Sequence, residues 1–416
     1  MQYCNAIEIS YFVGKTLLLM AKVFQMNQLY RDCVVFVVDG FFSSNIFQDR
    51  ISLFCNERNI AFHSIDLYWQ IERERFEDII KSKPDCLVID ELHPHNFDYV
   101  CDVTRELSQV VCVINPEYAK PENFHNNRNG FKIIRLTSVM RNTAQIYNTV
   151  NSADQSDHDV QTSTVLGKKP VMVCILKDDL LLGLTEAVAQ ASSNKFVIFR
   201  ENVDDFPNSI LEAVLTTVKP DVPVLYANNS DDRPRFLSDD QSAGCLIAGE
   251  YEFMGMEAKC VIVLDTGSAG FFRTRDQFLR ATNQLIVVAT PSSSSFPSGA
   301  GFRPDAWTWC LPFTNSNEYQ ALLDQMKDWV TKEDIEAIKR ESACYQMSTH
   351  ILSYMEKILE EMKPLQQQLC QKQEFLLQGE YSSDEMRTLR QTLALISRFE
   401  HLIEDAKGSE SDNKQT

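Results

Sequence analysis

Along residues 32–150, short uninterrupted apolar runs alternate with stretches in which apolar and charged positions are interleaved at helical spacing. "DCVVFVVDG" (32–40), "DCLVIDEL" (85–92) and "VVCVIN" (110–115) predict buried strands, and "IERERFEDIIKS" (71–82) predicts a helix. Strands that are apolar on both faces and separated by helices make a parallel sheet covered on both sides. Residues 151–169 lose all periodicity and fill with Ser, Asp and Thr, which marks a linker. A second strand series follows at 171–176, 195–200, 222–227, 244–249, 259–265 and 283–289, and "PSSSSFPSGAGFRP" (291–304) is a loop by composition.

From about residue 317 the pattern turns helical. Ile351, Ile358, Met362, Leu365, Leu369 and Leu376 form one stripe, and Leu389, Leu393, Ile396 and Ile403 another. Pro364 is expected to end or kink a helix, and Ser382 with Glu385 resembles a capping box opening the last one. The stripes read as packing within the chain, with a coiled coil to a partner as the other reading. The predicted organisation is therefore an α/β domain over 1–150, a linker over 151–169, a second α/β domain over 170–312, a helical region over 313–407 and a disordered tail over 408–416.

Charge narrows the function classes. The formal net charge is −18, so the chain repels polyphosphate except where a local basic cleft is kept, and avid non-specific nucleic-acid binding is disfavoured. The 12 cysteines show no C-x-x-C pair and no metal-ligand spacing. Cys112, Cys174 and Cys260 sit inside apolar runs, which reads as reduced, packed thiols in a cytoplasmic or nuclear protein. Lys15 and Lys22 interrupt the N-terminal apolar stretch, no cleavage pattern follows, and no apolar run reaches membrane-spanning length.

Two segments carry candidate chemistry. "VGKTLLLMAK" (13–22) contains the Gly14-Lys15-Thr16 end of a phosphate-binding loop, but Ile9 holds the place of its first glycine. "LVIDELH" (87–93) ends an apolar strand in adjacent carboxylates, Asp90 and Glu91, at the strand edge where open α/β sheets bind ligands. Further on, "RLTSVMRNTAQI" (135–146) sets Arg141 at the start of a helix. "EYEFMGMEAKCVIVLD" (250–265) sets Gly255 and Glu257 just ahead of a strand, and "FLRATNQLIVV" (278–288) sets Arg280 four residues before a strand beginning near Gln284.

In this order and spacing the segments resemble the motif series of superfamily 1 helicases, over roughly residues 10–290, and "LTSVMRN" also resembles the helicase-like part of the Schlafen family. The resemblance implies two RecA-like parallel-sheet P-loop domains with ATP and Mg²⁺ between them, followed by an α-helical region. It implies that Lys15 contacts the β- and γ-phosphates, that Thr16 and Asp90 hold Mg²⁺, and that Glu91 acts as base. Arg141 and Arg280 would reach the γ-phosphate across the cleft, Glu257 would sit near the ribose and phosphate, and Gly255 would belong to the same motif. A lysine, a metal and two arginines are what phosphoryl transfer needs.

The chain also departs from that pattern. Residues 5–13 could supply the strand before the phosphate loop, or the loop, but not comfortably both. In the third motif Asn115 stands for Asp and Tyr118 for the γ-phosphate-sensing Gln, and Leu279 stands where Ser or Thr precedes the arginine. The expectation is a helicase-like ATPase of impaired activity, with single-stranded nucleic acid as a weak ligand. The alternative is a catalytically inactive pseudo-helicase that binds a protein partner through residues 317–407. A signalling NTPase of another P-loop lineage is disfavoured, because a second strand series follows the first.

Overall fold

The computed structural model describes residues 3–9, 15–30, 34–39, 44–114, 131–136, 142–151, 165–176, 179–200, 207–238, 243–249, 251–265, 277–292, 296, 303–313, 316–341, 349–376 and 383–413. Its first sheet has six parallel strands: β1 (Tyr3–Ile9), β2 (Val34–Asp39), β3 (Ala61–Ile65), β4 (Cys86–Leu92), β5 (Gln109–Ile114) and β6 (Phe131–Leu136), in the spatial order β3-β2-β4-β5-β1-β6. Helices α1 (Lys15–Tyr30), α2 (Asn45–Asn56), α3 (Gln70–Lys81) and α4 (Phe97–Val103) make the crossovers.

A right-handed crossover places its helix according to the direction in which the chain moves across the sheet. From β1 to β2 to β3 the chain moves one way, and from β3 to β4 to β5 the other, so α1 and α2 cover one face and α3 and α4 the opposite one. The two apolar cores follow this split. Leu19, Val23 and Phe47 pack with Val88 and Val111, while Phe76, Phe97 and Val100 pack with Leu87 and Ile89.

The second sheet has seven parallel strands: β7 (Val171–Cys174), β8 (Lys195–Arg200), β9 (Val224–Tyr226), β10 (Gly244–Ala248), β11 (Ala258–Asp265), β12 (Ala281–Ala289) and β13 (Thr308–Cys310), in the order β13-β7-β12-β11-β8-β10-β9. One face is covered by α6 (Leu180–Gln190) and α7 (Asn208–Val218). The other meets α5 (Ala144–Asn151), α8 (Asp232–Leu237), α9 (Ser316–Met326) and α10 (Lys332–Glu341), and its core is continuous with the α1 and α2 core of the first domain. Cys112, Cys174 and Cys260 are free and buried, and burial pushes the Cys260 thiol up to about 12. No helix among the described residues is long and apolar enough to cross a membrane.

Two long helices close the chain, α11 (Thr349–Leu376) and α12 (Ser383–Asn413). Their stripes turn inward: Ile351, Met355, Ile358 and Met362 of α11, with Ile396, Phe399 and Leu402 of α12, join the core over α6 and α7. Each such buried side chain contributes about 1.5–3 kcal/mol of transfer free energy, which anchors helices whose other faces are polar. Pro364 does not end its helix. α11 runs through it, because tertiary burial on either side offsets the lost backbone bond. α12 extends to Asn413, so part of the stretch read from composition as a tail continues the helix, while Ser382 lies outside the described residues.

One charge ties the helical region to the second domain. Arg398 of α12 donates to Asp179, the buried residue before α6, at 3.0 Å and to Glu318 of α9 at 2.8 Å. Removing the guanidinium takes from buried Asp179 its charge-assisted bond to α12. We expect Arg398→Met to cost about 2 kcal/mol, read as a lower urea midpoint, with earlier proteolytic release of α11 and α12. Arg398→Lys should recover part of the loss, and equal stability of all three proteins would show the pair to be inconsequential.

Candidate functional site

Of the strand and the loop that residues 5–13 could supply, the described residues show the strand. Tyr3–Ile9 forms a strand in the interior of the sheet, paired to β5 on one side and β6 on the other, and α1 starts at Lys15. Ladders on both sides stabilise a segment too short to persist alone. Ile9, at the missing glycine's position, is the last residue of β1 and pairs with Leu136. Gly14 lies outside the described residues. Lys15 and Thr16 are the first two residues of α1, whose N-terminal amides therefore open at the carboxyl edge of the first sheet.

β4 ends at the same edge, with β5 between it and β1. Val88 faces the core under α1 and Ile89 the opposite core, so alternation assigns Asp90 to the α1 face. The pairing with β5 then slips between Ile89 and Leu92, and Leu92 packs on the same side as Ile89. Glu91 is the residue that absorbs the extra step: its φ is +54°, a left-handed conformation that a side chain with a β carbon adopts at a cost of about 1–3 kcal/mol. Its amide donates to Asp90 Oδ1 at 3.0 Å. Asp90 is fully buried and Glu91 is 7% exposed.

The edge holds a third acid that the sequence pattern did not single out. Asp39, the buried last residue of β2, accepts from the His93 amide and from Asn96 Nδ2, each at 3.3 Å. Asn96 Oδ1 in turn accepts from Arg73, which lies over the Tyr99 ring at 4.7 Å. This chain fixes the turn that follows the two carboxylates. His93 Nδ1 accepts from the His95 amide at 3.2 Å, which puts the proton of the neutral ring on Nε2. Burial, with a smaller contribution from His95, holds His93 below the usual imidazole range. Among the described residues no group of three or more His, Cys, Asp or Glu side chains is arranged to hold a metal.

The second domain presents its amino edge. Gly255 and Glu257 lie just ahead of β11, as expected. Arg280 is placed differently: β12 begins at Ala281, not near Gln284, because Ala258 pairs with Ala281 before the register shifts. Arg280 therefore stands at the strand's threshold. Its amide donates to Gln277 O at 3.1 Å, its carbonyl accepts from the Ala258 amide at 3.0 Å, and Nη1 reaches Met256 O at 3.5 Å. Glu257 and Arg280 are thus held at the starts of adjacent strands.

Two grips bring the carboxyl edge of one sheet to the amino edge of the other. On one side Asn142, 1% exposed, donates through Nδ2 to the carbonyls of Leu279 at 2.9 Å and Ala281 at 2.7 Å, and the Thr143 amide donates to Thr282 O at 3.2 Å. Asn142 thereby brackets Arg280. Arg141 itself lies outside the described residues, and the helix that follows it, α5, starts at Ala144. On the other side Ser44 caps α2, accepting from the Phe47 amide at 3.3 Å while its hydroxyl donates to Met254 O at 2.6 Å. Gly255 follows, with φ +82° and so close to Phe47 that a β carbon would lie 2.8 Å from the ring. Arg233 of α8 adds an ion pair to Asp49 of α2 at 2.6 Å. The Asn142 amide was legible only as the residue after an arginine, and the Ser44 and Gly255 contacts carried no signal in the sequence pattern.

No family model matches the chain, and no curated protein matches it. Solved structures similar to it include Saccharomyces cerevisiae Dbp5 bound to RNA and ADP-BeF3, at 11% identity and a TM-score of 0.41, covering 81% of this chain and 88% of that one. They also include the DEAD-box helicase Mss116 bound to single-stranded RNA and UDP-BeF, at 14% identity and a TM-score of 0.38, covering 96% of this chain and 76% of that one. A DEAD-box protein from Methanococcus jannaschii gives 9% identity and a TM-score of 0.34, covering 78% of this chain and 87% of that one. All three are distant likenesses.

The grip at Gly255 is open to test. Gly255→Ala imposes both a disfavoured φ and a clash with Phe47, and should lower stability by about 2 kcal/mol, with faster hydrogen exchange in α2. Phe47→Ala added to it removes the clash, so the double variant should lose less than the two single losses combined. Strict additivity would mean that the ring and the glycine do not act on each other.

Proposed function

We propose that this chain is a helicase-like nucleotide-binding protein of superfamily 1 descent, with ATP and Mg²⁺ held between its two sheets and hydrolysis close to the uncatalysed rate. One observation carries the reading: the start of α1 and the Asp90–Glu91 bulge share the carboxyl edge of the first sheet, and that edge is gripped against the strand start where Arg280 stands. On this reading Gly14, Lys15 and Thr16 take the phosphates, Asp90 and Thr16 hold Mg²⁺, and Glu91 orients water. Arg141 and Arg280 complement the γ-phosphate, with Gly255 and Glu257 beside the ribose. Mg²⁺ is ordinarily held by one or two carboxylates together with the phosphates, which suits a site with a single fully buried acid on the α1 face. When bound it supplies charge neutralisation.

A specific observation supports low activity. Where the motif has a glycine that turns the chain, Ile9 is still extended and paired with Leu136, so part of the amide cradle for phosphate is spent on the sheet. A pseudo-helicase acting on a protein partner through residues 317–407 is the second reading, and the same residue favours it.

Phosphate release should match that of Glu91→Gln, with or without single-stranded RNA or DNA, because each lost positioning contact costs about two to three orders of magnitude in rate. A labelled ATP analogue should bind weakly, and more tightly once residues 9–14 are replaced by a glycine-rich G-x-x-x-x-G loop. Stimulated turnover that vanishes in Glu91→Gln would restore an active motor. Tight binding by the unaltered chain would refute the incomplete cradle.

A further inference from the structure

Exposed apolar side chains cluster where β3 turns into α3. Tyr68, Trp69 and Ile71 fall within four residues there and are 67%, 58% and 73% exposed. The Tyr68 and Trp69 rings stand at 86° with their centres 5.4 Å apart. Ile71 lies in the first turn of α3, and Glu74 and Asp78 follow three and seven residues on, so the three share one exposed helix face. The turn itself is fixed from within: Asp66 Oδ1 accepts from the Tyr68 amide at 3.0 Å, and Arg73 Nε donates to Leu67 O at 2.8 Å. β3 is an edge strand, and α3 lies on the face of the first sheet opposite α1 and α2, whose core is the one continuous with the second domain. Three apolar groups held together in water mark a contact surface.

Charge says what would cover it. Over residues 66–81, Asp66, Glu72, Glu74, Glu77 and Asp78 stand against Arg73, Arg75 and Lys81, five carboxylates to three cations. Burial, and Arg75 after it, hold His63 below the usual imidazole range, so the neighbouring edge strand adds no charge near neutral pH. Residues 40–43, which follow β2, the partner of β3, are uncharged, and exposed Asp98 of α4 adds to the acid side. Glu72 is taken by Arg75 at 3.4 Å and Asp78 by Lys81 at 2.7 Å. Glu74 makes no ion pair or hydrogen bond among the described residues.

We propose that this face docks an arginine-bearing segment of a protein partner, with a guanidinium stacked on Trp69 beside Glu74 and an apolar side chain on Ile71. Indole is the best ring for a cation. A guanidinium is planar and weakly hydrated, so it stacks on that ring while its fork meets a carboxylate. A nucleic-acid strand would also find two rings to stack on, but its phosphates would meet the surplus of carboxylates. The face shares no residue with the proposed nucleotide site. Three strands separate β3 from β1, which sets the two about 19 Å apart at about 4.8 Å per strand.

The test is fluorescence anisotropy of the full chain with a labelled hexapeptide of alternating arginine and leucine, beside its lysine and glutamate counterparts. The arginine peptide should bind more tightly than the lysine peptide, and the glutamate peptide should not bind. Trp69→Ala and Glu74→Lys should each weaken the arginine peptide by about fivefold or more, and Ile71→Ser by about twofold. All three positions are exposed, so the urea midpoint should stay in place, which separates a lost contact from a lost fold. Asp405→Lys, an equal charge reversal on the exposed side of α12, should leave the peptide bound. So should Lys15→Ala, even where it abolishes ATP binding, which keeps this face distinct from the nucleotide reading. Absence of binding, loss in Lys15→Ala, or indifference to Trp69 would overturn the inference. Equal loss in Asp405→Lys would do the same, since the attraction would then come from the net charge of −18 alone. So would Trp69-dependent binding of a single-stranded oligonucleotide in place of the peptide, since the face would then serve a strand.

Discussion

The placement of Arg280 in the candidate site depends on one asparagine amide that spans two carbonyls. Asn142 Nδ2 uses both of its hydrogens, on Leu279 and Ala281, and is sealed from water while doing so. Hydrogen bonds in such surroundings are strong, and costly to leave unmade. They fix the backbone on both sides of Arg280 and the point at which the chain, having left the first sheet at Leu136, joins the second. Across the seam, Ser44 uses its hydroxyl as donor and acceptor at once, capping a helix of one domain and holding a carbonyl of the other. Between these grips the geometry of the cleft is a matter of backbone, so the side chains at its edges have a defined place to act.

The chemistry at that edge is set by strain as well as charge. Glu91 occupies a left-handed conformation one residue from the end of a strand that is buried from end to end. The bulge is what lets Asp90 and Glu91 depart from simple alternation, and Asp39, Asn96 and Arg73 hold the turn beyond it. An acid pair that merely ended a strand in solvent would have no use for such support.

How much of this was legible follows burial. The interior strands β2, β4, β5, β7, β8, β10, β11 and β12 stand out as apolar runs, and so does the edge strand β9; β1, interior but carrying Asn5 and Glu8, and the edge strands β3, β6 and β13 do not. "AFHSI" is half exposed, and "FKIIRL" carries charges at alternate ends of its run. Asp90 and Glu91 were visible because carboxylates interrupt an apolar stretch. Glu257 and Arg280 gained meaning only from the order of motifs, and the start of β12 was misjudged because "RATNQ" is polar yet pairs through its backbone. Asn142, Ser44 and Gly255 answer to partners distant in sequence, and no local pattern encodes a partner.

β1 has a consequence of another kind. β1 comes before the other strands of its sheet in chain order yet lies in the interior, and its two neighbours, β5 and β6, are the last of that sheet's described strands. One edge of β1 waits for Gln109–Ile114 and the other for Phe131–Leu136, so both of its ladders depend on a long loop closure. The first sheet therefore cannot close around β1 until both of these late strands are in place.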